Sequence, residues 1–540
     1  MVKTAPIEVY NEYQKLNEYL TKNNVFETVR QNEAFFEGNQ WDGLDTKSSM
    51  PKPVFNVLQR AGKYMVATIG SNDIAITMTP FAESTEEIER MSLVSNEVEN
   101  IIEVARIKEA SKIVIRNAFV DGSGYMLQSF DANIETGQPM KGMIKNQVID
   151  NTNVLFGNPY SNDIQSQPYI IVVLRQHISQ VRQEAKRLGV DKDLIKEITP
   201  DNEYTQVNDD SDELVTVLLK FYRNVVKTKE EKLIIDELTG EEILTEEEKV
   251  KDTIWFTKCT RTVALIPPTD LEYKRYPIAC FGWDFIKNSY LYTSPMTSNI
   301  ANQIFINKSF AIAQMYGLQS AFPKIVYDKS KVQLEEFMNS DATAVAGIDM
   351  MSKFLDFIKI PDFSNNIIEL ATQTISQTKE CMGVTDASLG NVKPDNTSAI
   401  IALQESSNVP LEIQKQSFFE FWEDVVRNVL DIISHTYGVR KVITEDNKVV
   451  SIDFSLLKDI NYNLKVEIGN GANFSEIAQI NTLDKLVQAG YIPPDAYMKA
   501  VPSKYIPQKQ ALLNAYYEMV NKGQTPTPRG SLTTDENAPL

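Results

Sequence analysis

From residue 6 to 36, apolar side chains return every three or four positions: Ile7, Tyr10, Tyr13, Leu16, Leu20. That spacing buries one face of a helix, so one helix is expected over 6–36. It runs into Phe35-Phe36-Glu37-Gly38-Asn39-Gln40-Trp41, where Gly38 can stop it. Pro51 and Pro53 punctuate the next stretch, and the helical pattern resumes over 54–68. Ile74 to Pro80 alternates as a strand does. Ser84 and Glu87 form a capping-box signature. Behind it, Ile88, Met91, Val94, Val98, Ile101, Ile102 and Ala105 predict one long helix to about residue 118. Asp121-Gly122-Ser123-Gly124 reads as a turn before a strand near 125–131.

From about 143 to 283 the period changes from helical to extended. Strands are expected at 152–157, 168–174, 214–227, 231–238, 251–258 and 261–266. One helix interrupts them, 178–189, weakly capped near Ser179. Residues 241–250 are acidic and expected to be exposed. A helix over 296–319 would span roughly 35 Å at 1.5 Å per residue. Pro323 ends it, and short strands at 324–327, 344–348 and 354–359 precede a second helix at 364–382. After a loop at 383–398, a long helix is expected over 398–436, kinked at Pro410. A hairpin at 440–455, a strand at 463–468, and helices at 474–490, 494–500 and 507–521 follow. The tail from Gly523 is rich in Pro, Gly and Thr and reads as disordered. The pattern is α+β, with antiparallel strands carried on a helical body, and shows no internal repeat.

Composition changes the picture mainly by exclusion. At 540 residues the chain needs several cores, and 42% hydrophobic with 24% charged residues is the balance of a folded protein. No apolar run suits a membrane span, and no signal-peptide h-region opens the chain. Cys259, Cys280 and Cys381 are scattered, fit a reducing cytoplasm, and are expected to be buried packing residues. Two histidines, His177 and His435, exclude a His-x-x-x-His zinc helix, and sequence places neither a nucleophile nor a carboxylate beside them. There is no C-x-x-C pair, no phosphate-cradling G-x-x-x-x-G-K-[ST] loop and no G-x-S-x-G elbow. The acidic run Asn208 to Glu213 lacks the Gly and spacing of a calcium loop and reads as a solvated loop. Neither a metal, a cofactor nor a catalytic residue is expected. The net charge of −19 leaves no basic face for tight DNA binding, so contact with a duplex would be loose and confined to a few Lys and Arg.

An ordered series of short motifs resembles the portal proteins of tailed bacteriophages, closest to the short-tailed type, over roughly residues 30 to 510. Gly38-Asn39-Gln40-Trp41 is followed by Pro53-Val54-Phe55-Asn56, then by Gly122-Ser123-Gly124 and by Val154 through Pro159. Asn302-Gln303, Asn307 and Phe322-Pro323-Lys324 come next, then Met382-Gly383-Val384-Thr385, Leu389-Gly390 and Thr397-Ser398-Ala399-Ile400. Val466 to Gly469 and Leu486 to Ile492 close the series. The chain departs from the pattern in lacking Gly before Ala399 and in a short C-terminal region, which argues against a long barrel there.

The resemblance implies a division into an N-terminal helical wing (1–142), a β-rich wing (143–295), a first stem helix (296–322), a clip (323–362) and a second stem helix (363–382). A tunnel loop (383–398), a long wing helix with a hairpin (399–472), crown helices (473–522) and the tail (523–540) complete it. It implies a homo-dodecamer at one capsid vertex of the virion, assembled in the host cytoplasm, with duplex DNA in its lumen. The terminase large subunit, head–tail adaptor and tail proteins, the major capsid protein and a scaffold protein are the implied partners, and no membrane. Candidate channel residues are Lys308, Lys379, Lys393, Asn391 and Asn396. Lys324, Lys329, Lys331 and Asp328 are clip candidates for partner docking, and Trp41 and Trp422 are candidates for subunit packing. The plain alternative for the lysines is a solvated surface or a salt bridge, and for the tryptophans intrachain core. Two other classes stand beside this one: a head–tail adaptor or minor capsid protein, usually shorter, and a packaging nuclease or ATPase, whose motifs are missing.

Overall fold

The computed structural model describes residues 3–44, 50–71, 74–80, 85–201, 213–235, 242–321, 325–328, 344–347, 355–357, 366–384, 409–443, 449–458 and 462–468, and parts of 483–517. Two compact units are distinguished: residues 1–71 with 75–467, and residues 72–74 with 468–540.

The expected first helix is two, α1 (Pro6–Lys22) and α2 (Val25–Glu37), because Asn24 adopts the left-handed conformation at φ 55°. The apolar spacing continues on both sides of that break, which conceals it in the sequence. α3 (Val57–Gly70) is capped by the Asn56 carboxamide, which accepts from the Gln59 amide. Strand β1 (Ile74–Pro80) pairs with the late strand β17 (Tyr462–Ile468). The expected long helix likewise splits into α4 (Thr85–Val104) and α5 (Ile107–Asp121), with Arg106 left-handed at φ 52°. Ser84, the expected cap, lies outside the described residues.

β2 (Ser123–Asp131) is central to a three-stranded antiparallel sheet with β3 (Met143–Asp150) and β9 (Ile278–Gly282), two strands the sequence pattern missed. Its first six residues are all buried, since helix α5 and helix α10 (Glu412–Thr436) both pack on it. A strand so covered shows no alternation. Gly122 ends α5 at φ 95°, and a Cβ there would strike the Tyr292 carbonyl; Gly124 brings β2 so close to α5 that a Cβ would sit 2.6 Å from the Val114 carbonyl oxygen. The Gly-x-Gly motif therefore joins helix to strand.

The second sheet is antiparallel and five-stranded: β4 (Val154–Phe156), β5 (Tyr169–His177), β6 (Leu214–Ile235), β7 (Glu242–Cys259) and β8 (Ala264–Tyr273), in that order. Here β6 is one continuous strand where two were expected, and the acidic 242–250 stretch belongs to its partner β7. Charged residues at 227–232 hide the alternation, but ladder hydrogen bonds do not depend on side-chain polarity. α6 (Ile178–Arg187) and α7 (Lys192–Lys196) cover this sheet through Val181, Ala185 and Ile195 against Val215, Val217 and Leu265. The cap of α6 is the His177 imidazole, accepting from the Ser179 amide, rather than Ser179 itself.

A two-residue pair, β10 (Asp284–Phe285) with β11 (Tyr292–Thr293), leads into α8 (Pro295–Ala321). β12 (Ile325–Asp328) lies between β13 (Ala344–Gly347) and β14 (Leu355–Phe357), parallel to the first and antiparallel to the second. The insert is thus a mixed sheet where antiparallel pairing was expected. α9 (Asn366–Cys381) packs back on α8. At Pro410, expected to kink a helix over 398–436, residues 409–411 form a 3-10 turn and α10 begins at Glu412; residues 398–408 lie outside the described residues. The hairpin β15 (Val439–Ile443) with β16 (Val449–Asp453) stands where it was expected. In the second unit, α11 (Pro494–Ala500) stands where a helix was expected, and Tyr497 donates to Asp484 at 2.5 Å.

Candidate functional site: the α8–α9 helix pair and its anchor

The two helices that flank the small mixed sheet are unusual in what they leave uncovered. α8 buries Met296, Ile300, Gln303, Ile306, Asn307 and Ala311, and nothing beyond Ala311 is buried. Phe305, Ile312 and Leu318 are exposed on it, Leu318 by 55%. α9 buries only Ala371 and Thr378 and exposes Ile368 and Leu370.

The buried half of α8 is held by side-chain amides. Asn307 donates to Gln40 Oε1 at 2.6 Å, and its Oδ1 accepts from the Phe55 amide at 3.1 Å. Gln303 donates to the Phe55 carbonyl at 2.7 Å and accepts from the Val57 amide at 3.1 Å. Gln40 donates in turn to the Phe35 carbonyl, and Asn56 to those of Phe35 and Phe36. Trp41 donates its indole N–H to the Pro53 carbonyl at 2.9 Å. Residues 38–41 and 53–56 are thereby fastened to the end of α2, the start of α3 and the middle of α8. Gln40, Gln303 and Asn307 are each at least 98% buried, where satisfied amides specify one arrangement and unsatisfied ones are costly. The motif residues Gly38 to Trp41, Pro53, Asn56, Gln303 and Asn307 thus meet at one place, which sequence spacing alone did not reveal.

Beside this anchor, Arg116 pairs with Glu33 and lies 5.1 Å over the Phe36 ring. Asp121 and Asp150 share the neighbourhood. Burial and the nearby Glu33 push the Asp121 carboxyl up to about 8, with Arg116 acting against them. Asn32 links the cluster to α8, donating to the Val120 carbonyl and to Thr297 Oγ1.

The sequence-derived candidates are distributed as follows. Lys308 and Lys379 are half-buried on α8 and α9. Asp328 ends β12. Lys324, Lys329, Lys331, Asn391, Lys393 and Asn396 lie outside the described residues, as does the 208–212 acidic run. Trp41 and Trp422 are buried within their own chain, the latter 1% exposed among Phe418 and Phe421. Of the cysteines, Cys259 is buried and Cys381 exposed, against the expectation of burial.

The histidines do have carboxylate neighbours: Glu213 lies 2.5 Å from His177 and Asp431 3.6 Å from His435. Ser179 Oγ is 2.7 Å from His177 Nδ1, but its amide meets the same nitrogen, so the group is a helix cap on an exposed edge. Among the described residues, no three His, Cys, Asp or Glu side chains are grouped to hold a metal, and no helix is long and apolar enough to cross a membrane.

No curated protein matches the chain. The family model of phage P22-like portal proteins matches residues 17–515, which takes in α2 to α11, the amide anchor and both helices it positions. The chain belongs to the P22-like phage portal protein family, whose members are structural proteins of the virion that serve genome packaging.

Proposed function

We propose that twelve copies of this chain close into a ring at one capsid vertex, with α8 and α9 as the stem around a channel for duplex DNA. The single observation that carries the ring is the set of apolar side chains that α8 and α9 leave in water, Phe305, Ile312, Leu318, Ile368 and Leu370. A neighbouring copy would cover them, and a cyclic assembly repeats that contact without open ends. The segment between the helices, residues 323–362, would form the clip that meets the terminase large subunit during packaging and the adaptor and tail proteins afterwards.

The net charge of −19 per chain supports a channel over a clamp. A mainly acidic wall repels phosphate at every position and flattens the profile along which DNA slides. Lys308 and Lys379 on the two helices would add weak phosphate contacts, and the 383–398 tunnel loop with Asn391, Lys393 and Asn396 would add others. No catalytic step is assigned to the chain.

The reading is tested by assembling heads with and without this protein and supplying the packaging motor. Heads that contain it should protect DNA from nuclease, and heads without it should not. Replacing Lys308 and Lys379 by Gln should leave packaging in place but weaken its dependence on salt. Equal protection in heads lacking the protein would overturn the reading.

A further inference from the structure

Between α3 and α5 runs a groove of about 490 Å³ lined by the apolar Phe36, Val66 and Ala67 and by three cations, Lys63, Lys112 and Arg116, of which Arg116 is paired with Glu33. The two helices approach closely at Gly62, where a Cβ would strike the Phe119 ring of α5. Lys63 meets only the neutral Gln59 carboxamide, and among the described residues no carboxylate lies within ion-pair distance of Lys63 or Lys112. Two uncompensated cations over an apolar floor stand out on a chain of net charge −19. The chain also carries a feature of opposite character. At the start of α10, Val409 and Ile413 are 69% and 72% exposed, with the exposed carboxylate of Glu412 between them. Positions 409, 412 and 413 share one side of the turn. This is an apolar pair around one negative charge, the complement of an apolar floor under positive ones.

We infer that the α3–α5 groove receives the Val409–Glu412–Ile413 knob of the neighbouring copy, as one of the contacts that set the ring. The inference rests on the ring reading. Head-to-tail contacts join two different patches of one chain, which suits a groove and a knob that differ in shape and charge. The apolar pair would displace water from the floor, and Glu412 would reach Lys63 and Lys112.

The test uses the full chain with Cys381, the exposed native thiol, changed to Ser. Ala67→Cys and Ile413→Cys together should give a ladder of disulfide-linked oligomers, and a mixture of the two single variants should give dimers only. Glu412→Lys should raise the concentration for half-assembly about tenfold, as should Lys63→Glu with Lys112→Glu, and combining the three should restore assembly. The rescue separates a lost contact from a misfolded variant. Rings that form with neither cross-link nor charge dependence would overturn the groove contact and leave the ring reading intact. A chain that stays monomeric at high concentration would remove both.

Discussion

Asn307 is the joint through which α8 is held, and removing its amide tests whether that joint matters. In Asn307→Ala, Gln40 Oε1 loses its donor inside a residue that is 1% exposed, and the Phe55 amide loses its acceptor at a half-exposed position. An orphaned buried polar group costs about 1–3 kcal/mol and a partly hydrated one less, so a loss of about 2–4 kcal/mol is expected. Gln303 loses Asn307 Oδ1, which accepts one of its N–H groups at 3.1 Å, but keeps its bond to the Phe55 carbonyl, so the network should loosen rather than collapse. The nearby Asn302, joined among the described residues to Asn299 at 3.4 Å, is the control, and its Ala variant should change stability by less than about 0.5 kcal/mol. Urea unfolding gives the totals. Hydrogen exchange locates them: the Phe55 amide should lose protection while the Val57 amide, bonded to Gln303, keeps it. An Asn307→Ala protein as stable as wild type, with Phe55 still protected, would refute the argument that these amides fix α8.

Three other outcomes are expected. The Asp121 carboxyl has its pKa raised to about 8, so the fold favours its protonated form; the stabilisation is complete below the ordinary carboxylate range and is lost as pH rises through about 8. Thermal midpoints of wild type relative to Asp121→Asn should therefore fall as pH rises from the ordinary carboxylate value of 3.8 to about 8 and level off above it, and parallel profiles would contradict the assignment. Gly122→Ala puts a side chain at φ 95° against the Tyr292 carbonyl and should cost at least about 1–3 kcal/mol in stability; an unchanged melting curve would show that the turn relaxes. Lys220 is fully buried between the Tyr169 and Tyr222 rings, pairing with Glu12 at 2.5 Å and with the Lys3 carbonyl at 2.7 Å. Lys220→Met should release α1 to limited proteolysis within its first turns, and a cleavage pattern like that of wild type would show that α1 is held by its apolar face alone.

How much of this was legible in the sequence depends on range. The period of α8, α9 and α10 and the hairpin at 439–453 follow from local side-chain patterns, and they were expected close to where they lie. The breaks at Asn24 and Arg106 were hidden because single left-handed residues leave the apolar spacing on either side intact. β3 was missed because its alternation is weak, and β9 because it is short and pairs with β2 across more than a hundred residues, Cys280 opposite Tyr125. The amide anchor is the strongest case. Gln40 and Asn307 stand 267 positions apart, and nothing in the spacing of either says that they touch. The resemblance marked both as motif residues, and only the fold supplies the physical reason: each satisfies a buried amide of the other. The tryptophans were ambiguous in the sequence, since an aromatic ring that suits a subunit contact equally suits a core, and both are buried within their own chain.

The central claim is that this portal chain closes into a ring with an axial channel. The most direct measurement is the mass of the purified chain in solution together with class averages by electron microscopy. The account predicts particles of about twelve copies with a central hole wide enough for a DNA duplex. A compact dimer or tetramer with no hole would contradict it.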